Sequence, residues 1–217
     1  MSGFPEESLG VPVPSFTVER SFTSHRERTR ERIRGQESQQ YIHHHSRRQA
    51  QPSSGGARVV MCQTVRAARH CCRLGVLHHD IKPKNILINT DTLEVKLINF
   101  GCGELLTSMI YTKYKDTRAY HPPEWVVYGK YFGLPITVWT LGVLLLELFS
   151  GELPFTSDEE IIAGRLIFLP KLSLECCNLI CQCLKKVPEH RPTFDKILSH
   201  KWFMKELQDN VQVRQSE

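Results

Sequence analysis

"GVLHHDIKPKNILIN" (Gly75 to Asn89) and the "INFGCG" that follows it (Ile98 to Gly103) decide how this chain is read. "ILIN" (Ile86 to Asn89) and "EVKLIN" (Glu94 to Asn99) are short β-branched runs separated by "TDTL". Such runs suit a pleated surface, so the pair is expected to form a hairpin. Upstream, "ARVVMCQTVRAARHCCRLG" carries Val60, Val65, Ala68, Cys72 and Leu74 at roughly helical spacing and ends at Gly75, a helix-stop residue. Asp80, Lys82 and Asn85 therefore stand in the order D-x-K-x-x-N on a loop between a helix and a hairpin, and Asn99-Phe100-Gly101 follows the second strand.

Beyond Pro122–Pro123 come three apolar stretches of helical character: Val138 to Phe149, "SLECCNLICQCL" (Ser173 to Leu184) and "TFDKILSHKWF" (Thr193 to Phe203). The expected fold is mainly α, in the α+β sense: a helical lobe with one small β-hairpin. Its expected bounds are residues 58–204, preceded by an irregular tail (1–57) and followed by a polar one (205–217). "GVPVPSF", the charged "SHRERTRERIRGQESQQ" and the linker-like "QPSSGG" lack the periodic apolar residues needed to offset ordering entropy. The three adjacent histidines, His43 to His45, are read as incidental to that tail.

Composition narrows the function classes. Hydrophobic residues make up 41% of the 217, enough for a core, and a formal charge of +5 is too mild to argue for nucleic acid. The apolar run Val138–Phe149 is short for a bilayer and contains Glu147, so no membrane association is expected. "MSGFPEESLG" lacks a basic start and an apolar core, so a cytoplasmic or nuclear location is expected, with the eight cysteines as reduced thiols. Cys176, Cys177, Cys181 and Cys183 lack paired C-x-x-C spacing and read as core residues rather than as a zinc site.

The ordered series of D-x-K-x-x-N, N-F-G, "PPEW" (Pro122 to Trp125), "VWTLG" (Val138 to Gly142) and Arg191-Pro192 resembles the protein kinases, whose pattern is H-R-D-L-x-x-x-N followed by D-F-G. Within the serine/threonine class it is most similar to the Pim kinases, in "GVLHHDIKPKNILI", "TRAYHPPEW", "VWTLGVLLLELFSGELPF", "DEEII" and "RPTFDKILSHKWF". The resemblance covers about Arg58 to Met204, the C-terminal lobe of that fold. It implies ATP and Mg²⁺ as cofactors and protein serine or threonine hydroxyls as acceptors. Asp80 would be the base, Lys82 would steady the transferring phosphoryl group with help from Thr117, and Asn85 would hold one Mg²⁺. Leu87 and Ile98 would floor the adenine pocket. Glu124 and Arg191 would form a buried ion pair bracing the lobe.

Several departures from the family pattern bear on activity. Asn99 stands where the metal-binding Asp is expected, and an amide in place of a carboxylate removes the charge that Mg²⁺ prefers. His79 stands in place of the Arg that pairs with a phosphorylated activation segment in many kinases, and imidazole lacks that residue's two-pronged fork. No G-x-G-x-x-G precedes the catalytic loop and the first lysine of the chain is Lys82, so an N-terminal lobe is expected to be missing. Lys84 replaces an acid that favours Arg-rich substrates, while Glu152, Asp158, Glu159 and Glu160 are read chiefly as a solvated helix start. Three readings follow. The chain is a serine/threonine kinase, or a non-catalytic pseudokinase-type interaction module or truncated product, or a zinc or nucleic-acid binder. The second is favoured, with no saturable ATP binding expected and a degraded Mg²⁺ site. Leu87, Ile98 and their neighbours are expected to face solvent or the tail, and to drive self-association through an apolar surface.

Overall fold

The computed structural model describes residues 54–89, 91–114, 117–170 and 172–204, all within the unit 36–217. The expectations for residues 1–53 and for the C-terminal tail lie outside them. Helix α1 (Ser54–Arg73) opens the domain. Its Ala57, Val60, Met61, Val65, Ala68 and Cys72 form a buried stripe, while Arg66 and Arg73 are exposed. The helix starts four residues before Arg58, so the end of the "QPSSGG" segment read as linker is instead its first turn. Glycine costs a helix about 1 kcal/mol relative to alanine, but complete burial of Ala57 draws this turn onto the core. At the other end, Gly75 at φ +76 turns the chain out of the helix. Leu74 lies past the last turn and is exposed, not part of the apolar stripe.

Strands β1 (Val76–Leu77), β2 (Ile86–Ile88), β3 (Val95–Leu97) and β4 (Glu104–Leu105) make two small antiparallel pairs. The expected hairpin is β2 with β3, in the register Ile86↔Leu97, Leu87↔Lys96 and Ile88↔Val95. The β1–β4 pair was not foreseen, because two-residue strands carry no periodicity of their own. It clamps the segment after the hairpin to the end of α1.

Helices α2 (Pro123–Tyr128), α3 (Gly133–Ser150), α4 (Asp158–Ala163), α5 (Leu174–Cys183) and α6 (Phe194–Leu198) complete the domain. α3 is apolar on all sides, and Trp139, Leu141, Val143, Leu144 and Leu145 are each at most 1% exposed. A helix of this kind must be surrounded by protein or lipid. It has the length and composition of a membrane span, longer than the Val138–Phe149 run suggested, yet it packs inside the domain. Glu147, its one buried acid, accepts a hydrogen bond from Tyr120. α5 crosses close to α3 at Gly142, where an added Cβ would lie 2.8 Å from the Cys183 side chain.

Ser157, Ser173 and Thr193 cap α4, α5 and α6 by accepting from the backbone N–H groups of Glu160, Cys176 and Lys196. Cys176 and Cys183 are core residues, and burial pushes both thiols up to about 12. Cys177 is half-buried and Cys181 exposed, so the core reading of the four cysteines holds for only part of the cluster. A ten-residue helix packed on one side cannot turn all of its positions inward.

Candidate active site

The loop between β1 and β2 is shaped by a residue the sequence reading passed over. His78 is 2% exposed, its Nδ1 accepts from the Asp80 backbone N–H at 3.2 Å, and its Nε2 lies 2.8 Å from the Ile98 carbonyl oxygen. A nitrogen that accepts carries no proton, so Nε2 is the one that donates. The ring is the neutral tautomer, and burial pulls its pKa down to about 4. Its signal was in plain view, since histidine opens the H-R-D pattern.

Asp80 is held on both oxygens. Lys82 Nζ lies 2.6 Å from Oδ1, and Asn85 Nδ2 donates to Oδ2 at 2.7 Å and to the Asp80 carbonyl at the same distance. Lys82 also donates to the Thr117 hydroxyl at 2.8 Å, tying the loop to the later segment. Pro83 starts a 3₁₀ turn (Pro83–Asn85), and Asn85 carbonyl oxygen accepts from the Ile98 N–H at 2.9 Å. Asp80, Lys82, Asn85 and Thr117 thus form one connected cluster. By strand register Leu87 falls on the same face of the hairpin as Asn85 and Ile98. Leu87 and Ile98 are half-buried.

Asn99 sits at φ 65, in the left-handed region that asparagine tolerates better than most residues. Its Nδ2 donates to Asn85 Oδ1 at 3.1 Å, so the two expected metal positions are bonded to each other. The oxygen that Asn85 would offer a cation already accepts an N–H, and Asp80 is engaged by Lys82 and Asn85. These donors do not fit Mg²⁺, which favours anionic oxygens in near-ideal octahedral geometry. Among the described residues no cluster of three histidine, cysteine or acidic side chains suits a metal elsewhere.

Arg191 and Glu124 face each other in the interior, each 7% exposed. Arg191 Nη1 and Nη2 donate to the two Glu124 carboxylate oxygens at 2.7 and 2.6 Å. Nε donates to the Lys185 carbonyl at 2.8 Å, Nη1 also donates to that of Pro135 at 3.1 Å, and the guanidinium lies 4.9 Å from the centre of the Trp139 ring. The pair locks α2 to the loop before α6.

The acids around α4 serve local structure. Arg118 binds Asp158 with two bonds of 3.1 and 2.7 Å, which holds the Asp158 carboxyl below its ordinary range. Glu160 accepts from the Thr156 N–H at 2.7 Å and hydroxyl at 2.9 Å. Lys84 and Glu152 are exposed. Exposed apolar residues include Ile167 and Leu174, and a group on the segment before α2 and around it: Leu105, Met109, Ile110, Val127, Tyr128 and Phe132. Several of these line a groove of about 460 Å³, together with Ile162 and Val187.

Known proteins are similar to this chain in sequence. The family model for the protein kinase domain matches residues 21–203, reaching into the segment read as tail. Serine/threonine-protein kinase pim-2 of Danio rerio is 43% identical over 154 residues, covering 71% of this chain and 50% of that protein. Serine/threonine-protein kinase prk-2 of Caenorhabditis elegans is 37% identical over 158 residues, with 71% and 36% covered. Sperm motility kinase 2A of Mus musculus is 30% identical over 171 residues, with 76% and 34% covered. The chain spans half the length of these relatives or less. It belongs to the protein kinase family, on the serine/threonine side, and its relation is Pim-like.

Proposed function

We propose that this polypeptide is a pseudokinase-type interaction module: a kinase lobe that keeps the substrate side of the catalytic loop and transfers phosphate poorly or not at all. The observation that carries this reading is the amide–amide bond between Asn99 and Asn85. Phosphoryl transfer depends on positioning and on neutralising phosphate charge, tasks of the metal, the strand lysine and the Gly-rich loop. The metal positions here are uncharged and satisfied by each other, and no lysine precedes Lys82 within the chain. A well-placed base contributes about 10²–10⁴-fold, but Asp80 alone has no held γ-phosphate to serve. Among the described residues, ATP would rest on Leu87 and Ile98. The role that remains is contact with other proteins or with a second copy of the chain in the cytoplasm or nucleus. The exposed apolar residues from Leu105 to Phe132 supply a surface for it.

The test is phosphorylation of a basic serine/threonine peptide by the 217-residue chain, with an Asp80→Ala variant in parallel. Equal, background-level incorporation by both is expected. Transfer by the unmodified chain that vanishes in Asp80→Ala would favour a second reading, a working serine/threonine kinase using ATP. That reading draws on the Asp80–Lys82–Asn85–Thr117 cluster, which keeps the base, the lysine and the segment in one bonded group.

A further inference from the structure

His79 is the residue that the family comparison marks as a loss, since it lacks the fork that would receive a phosphate. Its surroundings give it a different use. At φ 63 the backbone turns its side chain inward, where it is 3% exposed. Three tyrosine rings meet the imidazole edge-on: Tyr111 at 5.9 Å, Tyr114 at 6.0 Å and Tyr131 at 5.7 Å between ring centres. Tyr111 and Tyr114 come from the segment between β4 and α2, and Tyr131 from just after α2.

Each tyrosine is also an anchor. Tyr111 and Tyr131 stack at 5.3 Å and exchange backbone hydrogen bonds of 2.9 and 3.1 Å. The Tyr111 hydroxyl donates to the Leu105 carbonyl at 2.6 Å and accepts from the Thr107 N–H at 2.8 Å. The Tyr131 hydroxyl donates to the Lys113 carbonyl at 2.8 Å. Tyr114 packs on His121 and Trp125, and the β1–β4 pair fastens the start of the segment. Glu104 Oε2 lies 3.8 Å from His79 Nε2, a carboxylate that would repel a phosphate brought to the same place.

We infer that His79 is a positioning residue: its ring is the hub on which Tyr111 and Tyr114, ahead of α2, and Tyr131, behind it, are held together by aromatic packing. Edge-on contacts place the positive rim of one ring against the negative face of the next, so they need a flat aromatic at position 79 and not merely volume. This holds whether or not the chain transfers phosphate.

Amide hydrogen exchange on the full chain tests it. In the unmodified protein, Tyr111 and Tyr131 amides should be protected. His79→Phe keeps a ring and should hold their exchange within about twofold. His79→Leu, similar in bulk but not aromatic, should speed it at least about tenfold while α3 amides stay as slow as before. The inference is overturned if His79→Leu protects as well as His79→Phe, or if both variants release these amides. It is also overturned if either variant speeds α3 exchange to the same degree, because His79 would then support the whole core and not the segment.

Discussion

Two buried polar clusters in this domain have had different fates. Around Arg191, opposite charges meet squarely: guanidinium and carboxylate pair through two bonds, and neighbouring carbonyls take further donors. Around Asp80, the charged base and lysine remain, but the far side has become two amides bonded to each other. The first cluster joins helices, and losing one partner would strand a charge in the interior. The second faces the space where nucleotide and metal sit in the family. There, exchanging Asp for Asn strands nothing, because the amide finds a partner in Asn85. A fold-bearing charge is therefore hard to lose and a chemistry-bearing one easy.

The largest expected effect probes the first cluster. Arg191→Ala should destabilise the domain by about 3–5 kcal/mol, since Glu124 would be left buried and unpaired. Urea unfolding checks this, and a loss below about 1 kcal/mol would break the contrast between the two clusters.

The loop of the second cluster has its own pH signature. His78 is neutral in the folded domain with a pKa near 4, against 6.5 for an ordinary histidine. Between those values the unfolded chain binds the extra proton, so stability rises with pH across that window. About 3 kcal/mol is fully present above pH 6.5 and is lost as the pH falls to about 4. Unfolding midpoints at several pH values should show this loss in the unmodified chain and a shallower one in His78→Gln. Parallel curves would mean that other groups set the acid limit.

Asn99→Asp sharpens the account of the amide pair. Without metal it should cost about 1 kcal/mol, because a hydrogen bond from Nδ2 is replaced by a carboxylate facing Asn85 Oδ1. Added Mg²⁺ should recover that stability in the variant and change nothing in the unmodified chain. Mg²⁺ stabilising both equally would show that Asn99 is not what excludes the metal. The smallest effect is expected at the rim, where Arg118→Ala should leave the unfolding midpoint unchanged within error. The Arg118–Asp158 pair is exposed, and water competes with it.

Sequence alone carried the helical lobe and the β2–β3 hairpin, which rest on local periodicity and on β-branched runs, while the partnership of Glu124 with Arg191 came from the resemblance to the protein kinases. It also marked Asp80, Lys82 and Asn85 as a group and Asn99 as the odd member. What it did not carry depends on distance along the chain. The β1–β4 pair, the location of the exposed apolar surface and the outward turn of Cys181 have no local signature. His78 and His79 are adjacent and alike on paper. Only the tertiary structure gave one to the backbone of the loop and the other to three tyrosines, because successive residues at this turn point into different parts of the domain. The same holds for Asn99: the letter reports a missing charge, but the bond to Asn85 that satisfies the amide exists only once the β2–β3 hairpin brings the two amides within 3.1 Å.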